Sequence, residues 1–166
     1  MVKRGGAKRL FPPYEIAYLY RLRKTQCCHN RFMYWVNRWW LRKLSRKTRI
    51  QIPAETKIGP GLYIGHTGRI IINSMAILGC NINIGTGVVI GSEARGSREG
   101  APEIGSYVWI GANAVIVGKI KIGSDVLIAP GAYVNFDVPE HSIVIGNPGK
   151  IIHKMNAVDG YICSTV

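Results

Sequence analysis

From residue 52 onward an aliphatic residue recurs every six positions, usually followed by Gly or Ala. Such a six-residue repeat predicts a parallel β-helix, in which each hexad forms one short strand and one crowded corner. Twelve or thirteen hexads, at three per turn, predict about four coils. The repeat begins at Ile52, ends at Val134 and includes Ile58-Gly59, Ile64-Gly65, Leu78-Gly79, Ile84-Gly85, Ile90-Gly91, Ile104-Gly105, Ile110-Gly111, Ile122-Gly123 and Ile128-Ala129.

The repeat loses its six-residue step in two places. Between Ile64 and Ile72 the step is eight residues, so the corner must bulge, and His66 lies in this bulge. The polar, Gly-rich stretch 92–103 interrupts the repeat a second time and predicts a protruding loop. Bulges and loops on a rigid scaffold are where chemistry is usually found.

Residues 14–24 and 28–47 instead carry helical patterns. One reading of the second helix is a cap on the open end of the β-helix. The other is a helix lying on an anionic membrane, with Trp at the headgroups and basic residues outside. The apolar stripe of this helix consists of Phe32, Trp35, Val36, Trp39, Trp40 and Leu44.

Composition and charge divide the 166 residues unevenly. Hydrophobic residues make up 47% and charged residues 19%, which disfavours a disordered chain. The net charge of +13 lies entirely within residues 1–50, and the remainder is neutral, which disfavours a uniformly basic nucleic-acid-binding fold. We therefore predict a basic, Trp-rich helical leader at 1–50, a β-helix at 51–137 and a C-terminal segment at 138–166.

The cysteines and the N-terminal sequence indicate the cellular compartment in which the protein is expected. Cys27, Cys28, Cys80 and Cys163 show no zinc-ligand spacing, which favours a reduced, cytoplasmic setting. No apolar run is long enough to span a membrane, and the start lacks the apolar region of a secretory signal. The His, Cys and acidic residues do not cluster in the sequence, so no metal site is expected.

Three stretches of sequence resemble the hexapeptide-repeat acyltransferases, and within them the serine acetyltransferase-like branch. They are KIGPGLYIGHTGRIII at 57–72, the repeats at 104–134 and VPEHSIVIGNPGKII at 138–152. The resemblance implies a left-handed parallel β-helix that forms a homotrimer. It also implies that acetyl-CoA is the co-substrate and binds in clefts between neighbouring prisms.

By the same resemblance, His66 is the catalytic base that takes a proton from an acceptor hydroxyl. A hydroxyl is a poor nucleophile at neutral pH, and a histidine base is suited to activate it. His29, His141 and His153 are expected to be solvated.

The resemblance also implies roles for six further residues near the bound coenzyme. Trp109 is expected to be either a stacking platform or an outer contact between prisms. Lys150 is expected to meet the phosphates of the coenzyme. The small residues implied in the pantetheine channel are Gly111, Ala112, Ala129 and Pro130.

The sequence departs from the serine-specific enzymes at three positions on the acceptor side. Gln51 replaces an Asp that orients the catalytic His, Gly65 replaces an Asp that contacts the amino acid, and Ala101 replaces a second His. A zwitterionic acceptor left without charged partners in a cleft is costly, whereas a sugar hydroxyl needs none.

These departures favour an acetyl-CoA-dependent O-acetyltransferase acting on a sugar in surface-polysaccharide synthesis. The alternatives are serine O-acetylation for cysteine biosynthesis and a non-catalytic hexapeptide scaffold. The predicted location is cytoplasmic, with a peripheral contact at the inner face of the plasma membrane through residues 28–47 as an option. The sugar acceptor is expected free or lipid-linked, and nucleic acid is not expected as a partner.

Overall fold

A computed structural model describes residues 12–162 and 165–166, in which two helices precede fifteen short strands. The helices are α1 (Tyr14–Gln26) and α2 (Arg31–Thr48). The strands are β1 (Ile50–Gln51), β2 (Lys57–Ile58), β3 (Tyr63–Ile64), β4 (Ile70–Ile72), β5 (Ile77–Leu78), β6 (Ile82–Ile84), β7 (Val89–Gly91), β8 (Glu103–Ile104), β9 (Val108–Ile110), β10 (Val115–Val117), β11 (Lys121–Ile122), β12 (Val126–Ile128), β13 (Tyr133–Val134), β14 (Ser142–Ile145) and β15 (Lys150–His153).

The strands form the three faces of a prism. Face A contains β1, β4, β7, β10 and β13, face B contains β2, β5, β8 and β11, and face C contains β3, β6, β9, β12, β14 and β15. From β1 to β13, consecutive strands along the chain lie on successive faces, and neighbours within a face pair in parallel. Only the last pair of face C, β14 with β15, is antiparallel among the described strands.

The aliphatic residue of each hexad points inward and stacks on its equivalent in the next coil. On face C, for example, Ile84 pairs with Ile110 and Ile110 with Ile128, and all three are buried. Faces A and C each carry five successive coils, one more than the hexad count predicts. The fifth coil continues past Val134 through Val138, only four residues on, and Val144, and these inward apolar residues remain buried.

The corner between faces B and C requires a left-handed backbone. Asn81, Tyr107, Asp125 and His141 occupy equivalent positions there in successive coils, each with φ near +55°. The N–H of each of these residues donates to a carbonyl of the preceding coil. Asn and Asp tolerate this conformation well, whereas Tyr and His tolerate it only because the coil fixes it.

Helix α1 covers the open edge of the first coil. The Tyr18 hydroxyl donates to the Ile52 carbonyl (3.2 Å) and accepts from the Ile52 N–H (3.0 Å). Arg23 donates to the carbonyls of Ile58 and Gly59, and Gln26 donates to that of Thr56. The leader therefore satisfies backbone groups that the first coil would otherwise leave unpaired.

Helix α2 packs against α1 and the first coil through the face opposite to its apolar stripe. It begins at an Asn30 cap, whose side chain accepts from the Met33 N–H, and ends at Arg49 in the left-handed region. Its buried residues are Asn37, Leu41 and Thr48. Phe32, Trp35, Trp39 and Trp40 of the stripe are exposed. The stripe itself is thus no cap, and only Leu44 of its members packs against the core.

Candidate active site

His66 lies in a five-residue bulge, 65–69, between β3 on face C and β4 on face A. The far end of the bulge is held by the end of α2, since the Gly68 N–H donates to the Thr48 carbonyl (3.0 Å). Thr86 packs closely against Gly68, and a Cβ at position 68 would lie 2.0 Å from the Thr86 hydroxyl oxygen. The His66 side chain is exposed, and no described residue makes a hydrogen bond to its ring. The ring is therefore accessible to a ligand.

The corner between faces C and A, here called the His66 edge, also carries the residues predicted to line the pantetheine channel. Gly111 and Ala112 follow β9, and Ala129 and Pro130 follow β12, as Gly65 and His66 follow β3. The ladder along this corner is continuous, with the Gly111 N–H donating to the Ile128 carbonyl (2.8 Å). His66 and the four small residues thus share one edge, at coil spacings of about 4.8 Å.

Close packing requires glycine at one point of the His66 edge. A Cβ on Gly111 would lie 2.5 Å from the Pro130 nitrogen, below the distance that real Cβ atoms adopt. The small side chain is therefore a packing requirement, whatever it contributes to binding.

Lys150 lies at the far end of the His66 edge. It begins β15 and pairs with Ile145, the last residue of β14, so it follows His66, Ala112 and Pro130 along the same corner. Its side chain is exposed. This position is consistent with contact to the outer part of a ligand lying along the edge.

The three predicted acceptor-side residues are spread over face A. Gln51 is exposed on β1, and Gly65 adjoins His66. Ala101 lies in the loop 92–103, at the opposite corner between faces A and B, here called the loop edge. The loop is ordered by an Arg98–Glu93 ion pair (3.3 Å) and by reciprocal backbone hydrogen bonds between Glu93 and Gly100. One chain therefore does not bring Ala101 to its own His66.

The C-terminal segment covers part of face C. The Tyr161 ring packs on Trp109, with the ring centroids 4.9 Å apart, and its carbonyl accepts from Asn83 (3.1 Å). Trp109 thus contacts the tail of its own chain, and its predicted role as a stacking platform or a contact between prisms stays a prediction. Asn83 and Trp109 pair directly on β6 and β9, so the tail spans two coils.

His141 was predicted from the sequence to be solvated, but its ring contacts Asp125. Its Nδ1 lies 2.7 Å from an Asp125 carboxylate oxygen, whose partner oxygen accepts from the Val158 N–H. Burial opposes ionisation of Asp125, yet the hydrogen bonds from His141 and from the backbone hold its pKa below the usual value. His29 and His153 are exposed, as predicted.

The described residues also bear on metal and membrane sites. Within them, no group of three His, Cys, Asp or Glu side chains is arranged to hold a metal ion. Neither described helix is long and apolar enough to cross a bilayer. Cys27, Cys28 and Cys80 are free thiols, and Cys163 lies outside the described residues.

A triangular prism of hexapeptide coils, with a bulged histidine and a row of small corner residues on one edge, defines the class of hexapeptide-repeat transferases. Residues 101–135 match the family described as "Bacterial transferase hexapeptide (six repeats)". The serine acetyltransferase of Helicobacter pylori is 34% identical over 146 residues, which are 87% of this chain and 84% of that protein. The chain belongs to the serine acetyltransferase family. The left-handed parallel β-helix that this family likeness predicted is confirmed.

Other relatives are longer than this chain. Serine acetyltransferase 2 of Arabidopsis thaliana is 34% identical over 117 residues, which are 70% of this chain and 36% of that protein. The structure of Neisseria gonorrhoeae serine acetyltransferase in complex with serine superposes with a TM-score of 0.73 at 28% identity, covering 90% of this chain and 63% of that one. The chain thus spans about a third of the length of its Arabidopsis relative.

The prediction of a sugar acceptor in surface-polysaccharide synthesis is wrong. The relatives and the solved structure named above are serine acetyltransferases, which supports the alternative hypothesis of serine O-acetylation. The argument from Gln51, Gly65 and Ala101 assumed that charge pairing of an acceptor depends on those positions.

Sequence reasoning missed two features near these positions. The Tyr63 ring lies beside Gly65, with its Cε1 atom 3.4 Å from where a Cβ would be, so it occupies space next to the residue preceding His66. A charged cavity also lies beside Gln51, between α2 and face A. No spacing in the sequence signals this cavity, because Arg38 belongs to α2 and Glu55 to the corner that follows β1.

Proposed function

We propose that this protein is a serine O-acetyltransferase that uses acetyl-CoA and employs His66 as the general base. The observation that carries the proposal is the position of an exposed His66 on the same edge as Gly111, Ala112, Ala129 and Pro130. Membership of the serine acetyltransferase family supports the choice of acceptor. A pure scaffold would have no need of a bulge that breaks the coil register at a histidine.

In the proposed reaction, the His66 imidazole accepts the proton of the serine hydroxyl as its oxygen attacks the thioester carbonyl. The new C–O bond forms, the C–S bond breaks, and the proton passes to the departing thiolate of coenzyme A. General-base assistance of this kind contributes about 10²–10⁴-fold to the rate. The row of small residues leaves room for the extended arm of the coenzyme, and Lys150 would meet its phosphates.

We propose that the working unit is a homotrimer, as is typical of the family. Face A presents a row of half-buried apolar side chains, Ile71, Val89 and Val115, which are paired across adjacent strands. Such a row is suited to contact with a second prism. His66 and Ala101 lie on opposite edges of face A, so a cleft between two prisms is the place where both could approach one ligand.

The direct experiment is to incubate the purified full chain with acetyl-CoA and L-serine and to identify the products. The proposal expects stoichiometric release of free coenzyme A and O-acetyl-L-serine, detected by mass spectrometry. Coenzyme A released without an acetylated serine would contradict it. L-homoserine serves as a control, because it carries the same charges and hydroxyl but is one methylene longer.

We propose in addition that residues 28–47 make a peripheral contact with an anionic membrane. Phe32, Trp35 and Trp39 are 75%, 60% and 50% exposed on the side of α2 that faces away from the prism. Lys43 lies over the Trp39 ring at 3.8 Å, and α2 carries no acidic residue. Exposed aromatic rings interleaved with Lys and Arg suit a headgroup layer bearing negative charge.

Vesicle flotation tests the membrane contact. The full chain should float with vesicles that contain phosphatidylglycerol, not with pure phosphatidylcholine, and binding should weaken as salt is raised. The variant with Phe32, Trp35 and Trp39 all changed to Ala should stay in the dense fraction. Met155→Ala removes an exposed apolar side chain elsewhere and should float normally. Equal recovery of the triple variant would contradict the contact.

A further inference from the structure

A groove of about 520 Å³ lies between α1 and α2. Ile16, Tyr20 and Trp40 line it and are 54%, 57% and 43% exposed, so the groove opens to solvent. The half-buried Ala17 and Leu44 line it as well. Its walls are therefore mainly aliphatic and aromatic, and its volume is within the range of small-molecule sites, about 300–1,000 Å³.

Positive charges border the groove, and each lies over an aromatic ring that lines it. The Arg21 guanidinium carbon and the Lys43 Nζ each lie 5.6 Å from the centroid of the Trp40 ring. The Lys24 Nζ lies 5.5 Å from the centroid of the Tyr20 ring. An aromatic ring attracts a cation without neutralising its charge. The three side chains therefore keep their full positive charge at the border of the groove.

These cations have no carboxylate partner in the part of the chain that the structure describes. The ion pairs within that part involve Arg38, Arg98 and His141. Glu15 is the only acidic residue among residues 1–50, and it belongs to none of those pairs. The groove thus combines an apolar lining with a positive border whose charge is not compensated.

This charge decides between the candidate occupants of the groove. A second copy of the chain would bring a second positive surface against the first, and like charges repel each other. Residues 1–11 carry four basic residues and no acidic one, so the same repulsion disfavours them. An anionic partner is attracted instead, and the apolar lining favours a partner that also has a hydrocarbon part.

We propose that the groove binds an acyl chain of an anionic membrane lipid, and that Lys43 and Arg21 hold the phosphate of its headgroup. Each methylene group that leaves water for the apolar lining adds to the affinity. Hydrogen bonds from ammonium and guanidinium groups to phosphate are charge-assisted and strong. This inference deepens the proposed membrane contact, and the bilayer as the source of the lipid rests on that contact.

The groove is continuous with the exposed stripe of α2. The Trp39 and Trp40 rings meet edge to face, with their centroids 5.1 Å apart. Lys43 lies over both rings and is 3.8 Å from the Trp39 centroid. A lipid whose chain enters the groove therefore keeps its phosphate beside the rings that are proposed to contact the headgroup layer.

Calorimetric titration of the full chain with dodecyl phosphate, below its micelle concentration, tests the groove without a membrane. We expect one molecule to bind per chain. Dodecylphosphocholine has the same alkyl chain, but an ammonium group balances its phosphate, so it should bind about tenfold more weakly or worse. Inorganic phosphate, which lacks the alkyl chain, should not bind measurably. Absence of dodecyl phosphate binding by the folded wild type would contradict the proposal.

Two variants change the groove in different ways. Ala17→Trp fills it and Ile16→Asn removes part of its apolar lining, and each should weaken dodecyl phosphate binding by about tenfold or more. Met75→Trp adds a ring at an exposed site outside the groove and should bind normally. Circular dichroism establishes that each variant is folded, and Ile16→Asn keeps the test decisive if Ala17→Trp is not.

A third variant tests the charge at the border. Lys43→Gln should weaken the binding of dodecyl phosphate several-fold and change that of dodecylphosphocholine little. Lys57→Gln, at an exposed position on face B, is the matched control and should change neither affinity. Equal losses of affinity for both amphiphiles on Lys43→Gln would contradict the role of this lysine in holding the phosphate.

Two measurements detect the other occupants. Sedimentation velocity without any amphiphile should give Ala17→Trp the same oligomeric state as the wild type. A smaller assembly would show that a second copy covers the groove and would contradict the lipid. The variant with Leu10 and Phe11 both changed to Ser should bind dodecyl phosphate like the wild type. Tighter binding by that variant would show that residues 1–11 compete for the groove, which also contradicts the proposal.

The outcomes separate this inference from the proposed function. Flotation of the full chain with phosphatidylglycerol vesicles, together with normal dodecyl phosphate binding by Ala17→Trp and Ile16→Asn, would contradict the groove and leave the membrane contact standing. Groove-dependent binding of dodecyl phosphate without flotation would support the groove and contradict the contact made by the stripe. Neither result depends on whether serine is acetylated.

Discussion

The Asp125 carboxylate holds His141 at 2.7 Å on one oxygen and the Val158 N–H at 3.1 Å on the other. Asp125 lies in the fourth coil, His141 in the fifth coil and Val158 in the C-terminal segment. One carboxylate therefore fastens the tail to the last two turns of the β-helix. Because Val158 precedes Tyr161 by only three residues, the same contact helps to seat Tyr161 on Trp109.

The first prediction concerns this contact and its dependence on pH. Asp125→Asn should lower the free energy of unfolding by about 1–2 kcal/mol at pH 7, since it removes hydrogen bonds to a charged group. The pKa of Asp125 is lowered by folding, so its stabilisation is fully present above the ordinary pKa of 3.8 and is lost as pH falls through the lower, folded value.

Urea unfolding at pH 7 and pH 3, at equal protein concentration, measures this difference. The gap between wild type and Asp125→Asn should narrow at pH 3. A gap that stays constant would show that the charge of Asp125 does not contribute.

The second prediction concerns the cap formed by α1. The Tyr18 hydroxyl pairs with both backbone groups of Ile52, and its ring is buried. Tyr18→Phe leaves a buried N–H and a buried carbonyl without this partner, at a cost of about 1–3 kcal/mol. Tyr20→Phe, at an exposed site on the same helix, should change stability little. Equal unfolding midpoints for the two variants would contradict the capping role.

Because of Tyr18, the folded protein is also expected to lose stability at high pH. Burial raises its pKa to about 12, although the hydrogen bond from the Ile52 backbone opposes the shift. Stabilisation from the neutral phenol is therefore complete below the ordinary value of 10.0 and is lost as pH rises toward 12. Tyr18→Phe should lack this component, which thermal melts between pH 8 and pH 11 would reveal as a flatter profile.

The third prediction concerns the His66 edge. Gly111→Ala places a Cβ 2.5 Å from a backbone nitrogen of the next coil, so the coil must shift, and overpacking of this kind costs about 1–3 kcal/mol. Gly65→Ala places its Cβ 3.4 Å from the Tyr63 ring, an ordinary contact, and should keep the wild-type melting temperature. We also expect Gly111→Ala to weaken acetyl-CoA binding. A stable Gly111→Ala variant with normal affinity for acetyl-CoA would show that Gly111 does not line the proposed channel.

Sequence periodicity predicts the prism well because each hexad carries its own core residue and its own corner. Even the two interruptions, at His66 and at 92–103, fall where the structure departs from the regular coil. The hexad count misses the fifth coil because the step from Val134 to Val138 is four residues rather than six, although Val138 and Val144 remain buried.

The orientation of α2 could not be predicted from its own pattern. Its most hydrophobic stripe faces outward, and the helix packs through Asn37, Leu41 and Thr48. Hydrophobicity usually identifies the buried face, and here contacts with α1 and with the first coil decide otherwise. The charged cavity was missed for the same reason, since Arg38 and Glu55 meet only when α2 lies in this orientation.

The acceptor was mispredicted from single positions. Losing ionisable groups at Gln51, Gly65 and Ala101 says little about the acceptor, because charged side chains that are distant in sequence lie beside Gln51 in the fold. The spatial neighbourhood of Gln51, with its two guanidinium groups and one carboxylate, was not visible in the spacing of the sequence.

The central claim is that His66 is the base that activates serine, and His66→Asn tests it most directly. The variant keeps a polar side chain in the bulge but removes the base, so kcat for O-acetyl-L-serine formation should fall by about 10²–10⁴-fold. The Kd for acetyl-CoA, measured by calorimetry on the same preparation, should remain within about twofold of wild type, because the channel proposed for the coenzyme runs along Gly111 to Pro130. Retention of near-normal kcat by the folded variant would contradict the account.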